Sequence, residues 1–304
     1  MNENRVYVPP IKIQGIKTKL VPLIRESVIL NENSVWYEPF MGSGVVGFNM
    51  KPYHAVFADI NPYIIAFYNQ IKEGVITHRS VRVFLEDEGK KLENGDVDYY
   101  YTVRERFNKE HDPLDFLFLN RSCFNGMIRF NKEYCFNVPY GHKPNRFSKA
   151  YITKIVNQVA HVEELLKTHS RIFLCQPFEE TIRMAGKSDF IYCDPPYIGR
   201  HVDYYDSWDE ESETRLHYEL QKSSAFFMLS TWHSNDYREN TYINSIWHDC
   251  SIITQEHFYH VGAKEENRNP VIEALLTNYK VVPGKNEILN DNTQMSFDDL
   301  TIAI

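Results

Sequence analysis

The chain has 304 residues, of which 43% are hydrophobic and 24% charged, and its formal net charge is −8. This length and composition predict a globular protein with a substantial core, built as one domain with a large insertion or as two domains. The sequence shows no bilayer-length apolar stretch, no signal pattern and no CxxC pair among its five cysteines, so we expect a reduced, cytoplasmic protein without a zinc site, another metal site or a disulfide framework.

The predicted elements alternate between strands and helices along most of the chain. A strand, a glycine-rich turn and a helix occupy about residues 34–52, and a second strand covers 55–59. A helix is predicted over Tyr63–Lys72 after Pro62, polar helical structure over 75–113, and a long helix over Lys149–Thr168. Further strands are predicted at Ile172–Cys175, Phe190–Cys193, Ala225–Ser230, Ser251–Thr254 and Val271–Thr277.

This alternation predicts an α/β fold with a Rossmann-like, mostly parallel sheet and helices on both faces. The strand signal is interrupted between about residues 70 and 149, which predicts an inserted, mainly helical domain. The main domain would then comprise residues 1–69 and 150–280. Residues 281–304 are polar and contain Pro283-Gly284, so we expect a flexible tail.

The first chemical motif is the turn Glu38-Pro39-Phe40-Met41-Gly42-Ser43-Gly44. A strand, a glycine-rich turn and a helix form the nucleotide-binding geometry of open α/β sheets, because glycines let a ligand approach the backbone. Asp59 ends the next strand, where an acid is placed to hold ribose hydroxyls. A turn of this kind is also common as a purely structural feature, so it gains weight only from a second motif.

That second motif is Asp194-Pro195-Pro196-Tyr197, directly after an apolar strand. Asp194 can accept a hydrogen bond from an exocyclic amine, the prolines present their carbonyls stiffly, and Tyr197 offers a face for stacking. The motif therefore suits a planar base that carries an amine. The alternative is a strand that ends in a Pro-Pro turn, with Asp194 as a turn-capping acid.

Together these motifs resemble the Dam-like, D12 or alpha class of DNA adenine-N6 methyltransferases, over about residues 8–279. Within that class the N-terminal segment 9–20 is most similar to the modification enzymes of the EcoRV type. The chain departs from the family pattern at two positions. Ile13 stands where the family usually has Trp, and Ile16 stands where it usually has Gly. The resemblance rests on Lys12–Lys17, Phe40–Gly44, Ala58–Asn61, Leu119–Asn131, Phe136–Pro139 and Asp194–Tyr197.

The resemblance implies a class I S-adenosylmethionine-dependent fold, with residues 70–149 as the target-recognition domain. It places Lys17 near the methionine carboxylate of the cofactor and Phe178 on its adenine ring, although Phe178 is equally well explained as a core residue. Asp194, Pro195, Pro196 and Tyr197 are the expected catalytic residues. The expected cofactor-binding residues are Lys17, Phe40, Gly42, Gly44, Asp59, Ile60, Phe178 and Asp194.

The resemblance also implies double-stranded DNA as the partner, with the target adenine flipped out of the duplex. Phe124 would insert into the base stack, Arg129 and Lys12 would contact guanines, and Met127 would contact a thymine methyl. Alternatively, Phe124 and Met127 are core residues and Arg129 is a surface charge. The expected DNA-binding residues are Lys12, Asn120, Arg121, Phe124, Asn125, Met127, Arg129, Asn137, Pro139, Lys143 and Arg146.

The acidic net charge does not exclude DNA, because the charges are unevenly distributed. Residues 121–154 contain seven basic residues and one acid, and the acids concentrate in 86–93 and 203–213. Local charge decides whether phosphates are attracted. The alternative is a set of solvated surface charges. The shared recognition residues favour a site containing GAT, such as GATATC or GATC, in restriction-modification or in host or phage DNA protection.

Two further segments carry weaker signals. Arg200–Trp208 is either a lid that orders on DNA or a polar loop with packed tyrosines. Gln294–Phe297 faintly resembles a peptide that binds the bacterial sliding clamp, and the alternative is an unstructured end. Rival functions are an RNA or protein-glutamine N-methyltransferase, or an inactive DNA-binding protein of the same fold. A nicotinamide dehydrogenase is disfavoured, because it leaves Asp194–Tyr197 unexplained.

Overall fold

A computed structural model describes residues 5–198, 208–258 and 270–281. Within these residues, seven strands form one sheet in the order β3-β2-β1-β4-β5-β7-β6. Neighbouring strands are parallel except that β7 runs antiparallel to β5 and β6. The strands are β1 (Val35–Glu38), β2 (His54–Asp59), β3 (Ser170–Cys175), β4 (Phe190–Cys193), β5 (Phe226–Asn235), β6 (Ser251–Phe258) and β7 (Pro270–Thr277).

The α/β fold class and the predicted strands are confirmed, with ends that differ by a few residues. The described helices are α1 (Val21–Ser27), α2 (Val45–Met50), α3 (Pro62–Lys72), α4 (His78–Glu110), α5 (Pro113–Ser122), α6 (Lys149–Thr168), α7 (Phe178–Arg183), α8 (Glu210–Lys222) and α9 (Tyr242–Ser245). Short 3-10 helices cover Phe124–Gly126 and Pro144–Phe147. Among the described residues, no helix combines the length and hydropathy needed to cross a membrane.

The sheet is buried on both faces, because its central strands are apolar on both sides. All four residues of β4 are buried. Neighbouring residues of β1 belong to different cores: Trp36 packs into one cluster of buried side chains and Tyr37 into the other. Helices therefore cover both faces, as expected of a mostly parallel sheet.

The strand order reverses between β1 and β4, and this switch point positions the site. β1 pairs with β2 on one side and with β4 on the other, and all three strands run in the same direction. Their carboxyl ends therefore share one edge of the sheet. Ligands of open α/β sheets bind in the crevice at such a point.

The segment between β2 and β3 is mainly helical, as predicted, with turns and the two short 3-10 helices between α5 and α6. Thr77 caps α4 by accepting from the amide of Ser80, whose hydroxyl accepts from the amide of Thr77 in return. Helix α4 ends at His111, which has a left-handed φ of 57°. The prediction did not assign the apolar segment 114–120 to a helix, but it forms most of α5. The division into a catalytic and a target-recognition domain stays a prediction.

A buried charge network joins α4 to α5. The Arg106 guanidinium donates through Nε to Asp115 Oδ2 at 2.7 Å and through Nη2 to Glu88 Oε2 at 2.9 Å. The carboxylate side chains are only 3% and 5% exposed. Removing the cation would leave both acids buried without it, and this is the costly way to break a buried ion pair.

We expect Arg106→Met to lower the free energy of unfolding by about 2–4 kcal/mol, less than for a fully enclosed pair because the guanidinium is partly exposed. Urea unfolding with an unchanged m-value would measure the loss. Lys109→Met, at an exposed position of the same helix, is the control and should change the unfolding free energy by less than about 0.5 kcal/mol. Equal losses in the two variants would contradict a stabilising role of the network.

Candidate active site

A cavity of about 730 Å³ lies at the carboxyl ends of β1, β2 and β4. This is a usual size for a small-molecule site. Its wall includes part of the N-terminal arm (residues 5–20, before α1), the β1–α2 turn and the starts of α3, α7 and α8. The predicted catalytic and cofactor-binding residues that line it are Lys17, Phe40, Gly42, Asp59, Ile60, Phe178, Asp194, Pro195, Pro196 and Tyr197.

The β1–α2 turn needs glycine at two positions. Gly42 and Gly44 have left-handed φ values of 48° and 72°, which favour glycine. A Cβ on Gly42 would lie 2.9 Å from the Ile13 side chain, and one on Gly44 would lie 2.6 Å from Phe48. Gly42 lines the cavity, whereas Gly44 is the residue that caps α2. The structure therefore gives Gly44 a role in shaping the turn.

Asp59 is held by backbone amides at the end of β2. Its two carboxylate oxygens accept from the amides of Gly42 and Asn61, each at 2.9 Å. Burial raises the pKa of Asp59, and the two amide hydrogen bonds oppose that rise. Each oxygen keeps a further lone pair, so Asp59 can still accept from hydroxyl groups of a ligand.

Phe40 and Phe178 form an aromatic pair at the same cavity. Their ring centroids are 5.4 Å apart and the planes are 26° from parallel. Phe178 is buried and also lines the cavity, so the core and the ligand-facing interpretations are both compatible with its position. Trp208 joins this pair as a third ring, although it was not among the predicted cofactor-binding residues.

Asp194 forms an ion pair with Lys17 inside the cavity wall. Lys17 Nζ lies 2.8 Å from Asp194 Oδ1, and the Ser230 hydroxyl donates to the same oxygen at 2.9 Å. Lys17 is 4% exposed and Asp194 23%. Among the described residues, no hydrogen bond or ion pair reaches Oδ2. This leaves Oδ2 available to an incoming donor.

The surroundings of Asp194 set its protonation. Burial raises the pKa of this carboxyl, while Lys17 and the Ser230 hydroxyl oppose the rise. In the structure the Lys17 ammonium faces Asp194, and its expected place beside a methionine carboxylate stays a prediction. The same ammonium also donates to the Gly15 carbonyl at 2.7 Å and lies 4.9 Å from the centre of the Tyr197 ring.

Glu38 and Ser230 are two residues of the site that were not predicted from the sequence. Glu38 is 2% exposed, and its Oε2 accepts from the Trp36 indole and the Gly47 amide, both at 2.9 Å. Burial raises the pKa of Glu38 to about 8. Glu38 begins the motif that supplied Phe40, so its position was available as a signal, whereas Ser230 is the polar residue that ends the apolar run 225–230.

The predicted DNA-binding residues divide into an exposed and a buried set. Phe124 is 50% exposed and Asn125 is exposed with a left-handed φ of 53°. The Pro139 carbonyl accepts from the amide of Phe124 at 2.9 Å and fixes this exposed turn. Lys143 is exposed, Arg146 is half-buried, and Met127 packs partly against the core.

Asn120 and Arg121 are buried, and this does not fit their predicted contact with DNA. The Asn120 amide accepts from the Lys12 amide at 2.8 Å and donates to the Lys12 carbonyl at 2.9 Å. Arg121 donates to the Pro10 carbonyl at 3.1 Å and to the Gln158 side chain at 3.0 Å. Both residues therefore fix the N-terminal arm to α5 and α6, and they position Lys12.

Arg129 is the one predicted DNA-binding residue that the structure places in the cavity wall. Its Nε donates to the Asn137 side chain at 2.8 Å, and Nη2 donates to the Asn137 carbonyl at 3.4 Å. Asn137, which is also a predicted DNA-binding residue, therefore orients the Arg129 side chain.

The remaining predictions fall largely outside the described chain. Of Arg200–Trp208, only Trp208 is described, and Gln294–Phe297 lies outside the described residues. Within 5–198, 208–258 and 270–281, no group of three or more His, Cys, Asp or Glu side chains is placed to hold a metal ion.

Comparison with known proteins shows the family to which the chain belongs. The family model of "D12 class N6 adenine-specific DNA methyltransferase" matches residues 14–261. Proteins named DNA adenine methylase are 35% identical over 197 residues in Haemophilus influenzae (62% of this chain, 63% of that protein) and 33% over 205 in Escherichia coli K12 (65% and 66%). A protein of the same name from Serratia marcescens is 30% identical over 260 residues, covering 80% of this chain and 88% of that protein.

The chain thus spans slightly less than two thirds of the length of the Haemophilus influenzae and Escherichia coli relatives. The family match itself covers most of the chain, from the N-terminal arm to beyond β6. The chain therefore belongs to the D12 class of N6 adenine-specific DNA methyltransferases.

Proposed function

We propose that this protein transfers a methyl group from S-adenosylmethionine to N6 of an adenine flipped out of duplex DNA. One observation carries the proposal: a buried lysine neutralises Asp194 through Oδ1, which leaves Oδ2 for an amine donor at a cavity of cofactor size. Tyr197 lies beside this acid and lines the same cavity.

The residues of the cavity fit S-adenosylmethionine. Phe40 and Phe178 offer rings to the adenine, and Asp59 offers a carboxylate to the ribose. The open turn at Gly42 lets a ligand approach the backbone. When bound, the cofactor supplies a methyl group on a positive sulfonium.

Asp194 and the Pro195 carbonyl would accept the two N6 hydrogens of the target adenine. These hydrogen bonds direct the nitrogen lone pair toward the methyl group. The new bond from N6 to the methyl carbon forms as the carbon–sulfur bond breaks, so S-adenosylhomocysteine is the leaving product and the methylated nitrogen then releases one proton to solvent. Because the nitrogen gains positive charge during the displacement, the Asp194 carboxylate stabilises the transition state more than the ground state. Positioning of the two reactants contributes most of the remaining acceleration.

Tyr197 would stack on the flipped adenine. Flipping costs a few kcal/mol, and stacking on an aromatic ring returns about 1–3 kcal/mol. Phe124 is exposed at the tip of its turn and would fill the gap in the base stack, with Asn125 and Met127 beside it. Lys143 and Arg146 would contact phosphates, which position the duplex without reading its sequence.

Lys12 would contact the DNA, and the pKa of its side chain is lower than that of an ordinary lysine. Burial and the charges of Arg121, Arg146 and Lys154 together lower the pKa of Lys12 to about 8, against an opposing contribution from Cys123. A lysine with a lowered pKa loses its charge at lower pH than usual. Free Lys12 is therefore mostly charged at pH 7 and mostly neutral at pH 9.

We expect the affinity for duplex DNA to fall about 3- to 10-fold between pH 7 and pH 9, because Lys12 loses its charge over this range. Fluorescence anisotropy across that pH range would measure the fall. Lys12→Met should bind more weakly at pH 7 and show a flatter pH profile. A variant that keeps the full pH dependence would show that another group titrates.

The target sequence is proposed to contain GAT, as in GATATC or GATC, with a role in restriction-modification or in protection of host or phage DNA. The test is to incubate plasmid DNA with the protein and S-adenosylmethionine, then to digest it with restriction enzymes that cut at different GAT-containing sites. Protection of one site class supports the proposal and names the sequence. Methylation of tRNA or of a glutamine-containing peptide, with plasmid DNA left fully cleavable, would favour the RNA or protein N-methyltransferase alternative.

A further inference from the structure

The aromatic pair of Phe40 and Phe178 is completed by Trp208, which directly precedes the N-cap of α8. The Trp208 ring meets Phe40 edge-on, with centroids 5.5 Å apart and planes at 85°. It lies 5.7 Å from Phe178 at 60°. All three side chains line the cavity, so they form an aromatic recess at its wall.

The orientation of Trp208 is fixed by one buried carboxylate. Glu213, in the first turn of α8, accepts from the Trp208 indole at Oε2 over 2.5 Å. Its other oxygen, Oε1, accepts from the Trp247 indole at 2.8 Å. Glu213 is 5% exposed and Trp247 is 1% exposed. The Glu213 carboxylate therefore joins Trp208 in the cavity wall to Trp247 in the core.

Both oxygens of Glu213 are used to hold indole N–H groups. An acid of this burial needs partners for its charge. Trp208 consequently presents its ring, and not its polar edge, toward Phe40 and Phe178. Aromatic rings prefer the offset and edge-on contacts seen here, and a flat purine entering the recess can make the same contacts.

We propose that Trp208 is a third wall of the purine subsite for the cofactor, and that Glu213 is the residue that positions it. The proposal rests on the proposed function, because it assigns to the recess the adenine of S-adenosylmethionine. Glu213 acts through Trp208 and is not itself a contact of the reacting atoms. Its loss should therefore weaken cofactor binding and leave DNA binding unchanged.

The test is binding of S-adenosylhomocysteine to the full-length protein, measured by calorimetry and by tryptophan fluorescence. Trp208→Ala should raise the dissociation constant about 10-fold or more, and Trp208→Phe, which keeps a ring, should raise it less. The fluorescence change on binding should be lost in both variants. In Trp232→Phe, a change in β5 at a tryptophan that is not among the residues lining the cavity, that fluorescence change should persist and the affinity should stay within about 2-fold.

Glu213 is tested with a graded pair of substitutions. Glu213→Ala should weaken binding of S-adenosylhomocysteine about 10-fold, and Glu213→Gln, which retains an acceptor oxygen, should recover part of that loss. The affinity for duplex DNA measured without cofactor should be unchanged in both. Equal weakening of DNA and cofactor binding would indicate a merely structural role and overturn the proposal.

A failure of this inference can be distinguished from a failure of the proposed function. If the wild-type protein binds S-adenosylhomocysteine and Trp208→Ala binds it equally well, the third wall is wrong and the proposed function stands. If the wild-type protein does not bind it at all, the proposed function and this inference are both overturned.

Discussion

Asp194→Ala should lower the rate of methyl transfer about 1,000-fold or more, because it removes the carboxylate that faces the nitrogen as charge develops. Single-turnover transfer of a labelled methyl group to duplex DNA would measure the rate. The ammonium of Lys17 is 2.8 Å from the missing oxygen and would lose its counter-charge. Binding of S-adenosylhomocysteine and of DNA should nevertheless largely persist, which separates a chemical defect from an unfolded variant.

The matched control is Asp236→Ala, an exposed acid in the loop after β5. Its rate should remain within about 2-fold of the wild type. Turnover of Asp194→Ala close to that of the control would remove Asp194 from the catalytic role. A loss of rate in step with a loss of thermal stability would assign the defect to folding.

Lys17→Met should lower the rate about 100-fold and move the acid limb of its pH profile to higher pH. Burial raises the pKa of Asp194, and Lys17 opposes that rise. Removing the ammonium therefore raises the pKa of Asp194 further. Since the ionised acid is the form that accepts the hydrogen bonds, activity is present above this pKa and is lost as pH falls through it.

The measurement is the single-turnover rate as a function of pH for both proteins. Lys19→Met, at an exposed position two residues further along the arm, should keep the wild-type profile. An unchanged acid limb in Lys17→Met would mean that Lys17 does not set the ionisation of Asp194. Because Lys17 is buried, the melting temperature and the affinity for S-adenosylhomocysteine should be measured on the same samples.

The fold was largely predictable, because its sheet is built from short apolar runs separated by turn residues. Phe190–Cys193 is apolar throughout and forms a strand buried on both faces. The segment 114–120 is apolar apart from Asp115 and Asn120, but a short apolar run does not distinguish a strand from a buried helix. Asp112 and Pro113 carried the missing signal, because they supply the N-cap and the first residue of α5.

The site was predictable where chemistry is local, as in Gly42 and Asp194. It was not predictable where a contact joins distant segments. Asn120 pairs with the backbone of Lys12, which lies 108 residues away along the chain, so its amide looked available for DNA. The ion pair of Lys17 with Asp194 and the indole contacts of Glu213 are likewise products of the tertiary fold.

Four assignments stay predictions: the EcoRV-type specificity, the cytoplasmic location, the domain division and the contact with a sliding clamp. None of them affects the chemistry proposed at Asp194. That chemistry depends on the cavity, the ion pair and the neighbouring rings.

Adenine methylation at N6 is tested most directly by nucleoside analysis of duplex DNA after incubation with the wild-type protein and S-adenosylmethionine. We expect mass spectrometry to find deoxyadenosine heavier by one methyl substitution at N6, only when cofactor is present, and not with Asp194→Ala. DNA whose deoxyadenosine remains unmodified on substrates that contain GAT sites, although the protein is folded and binds the cofactor, would contradict the proposed function.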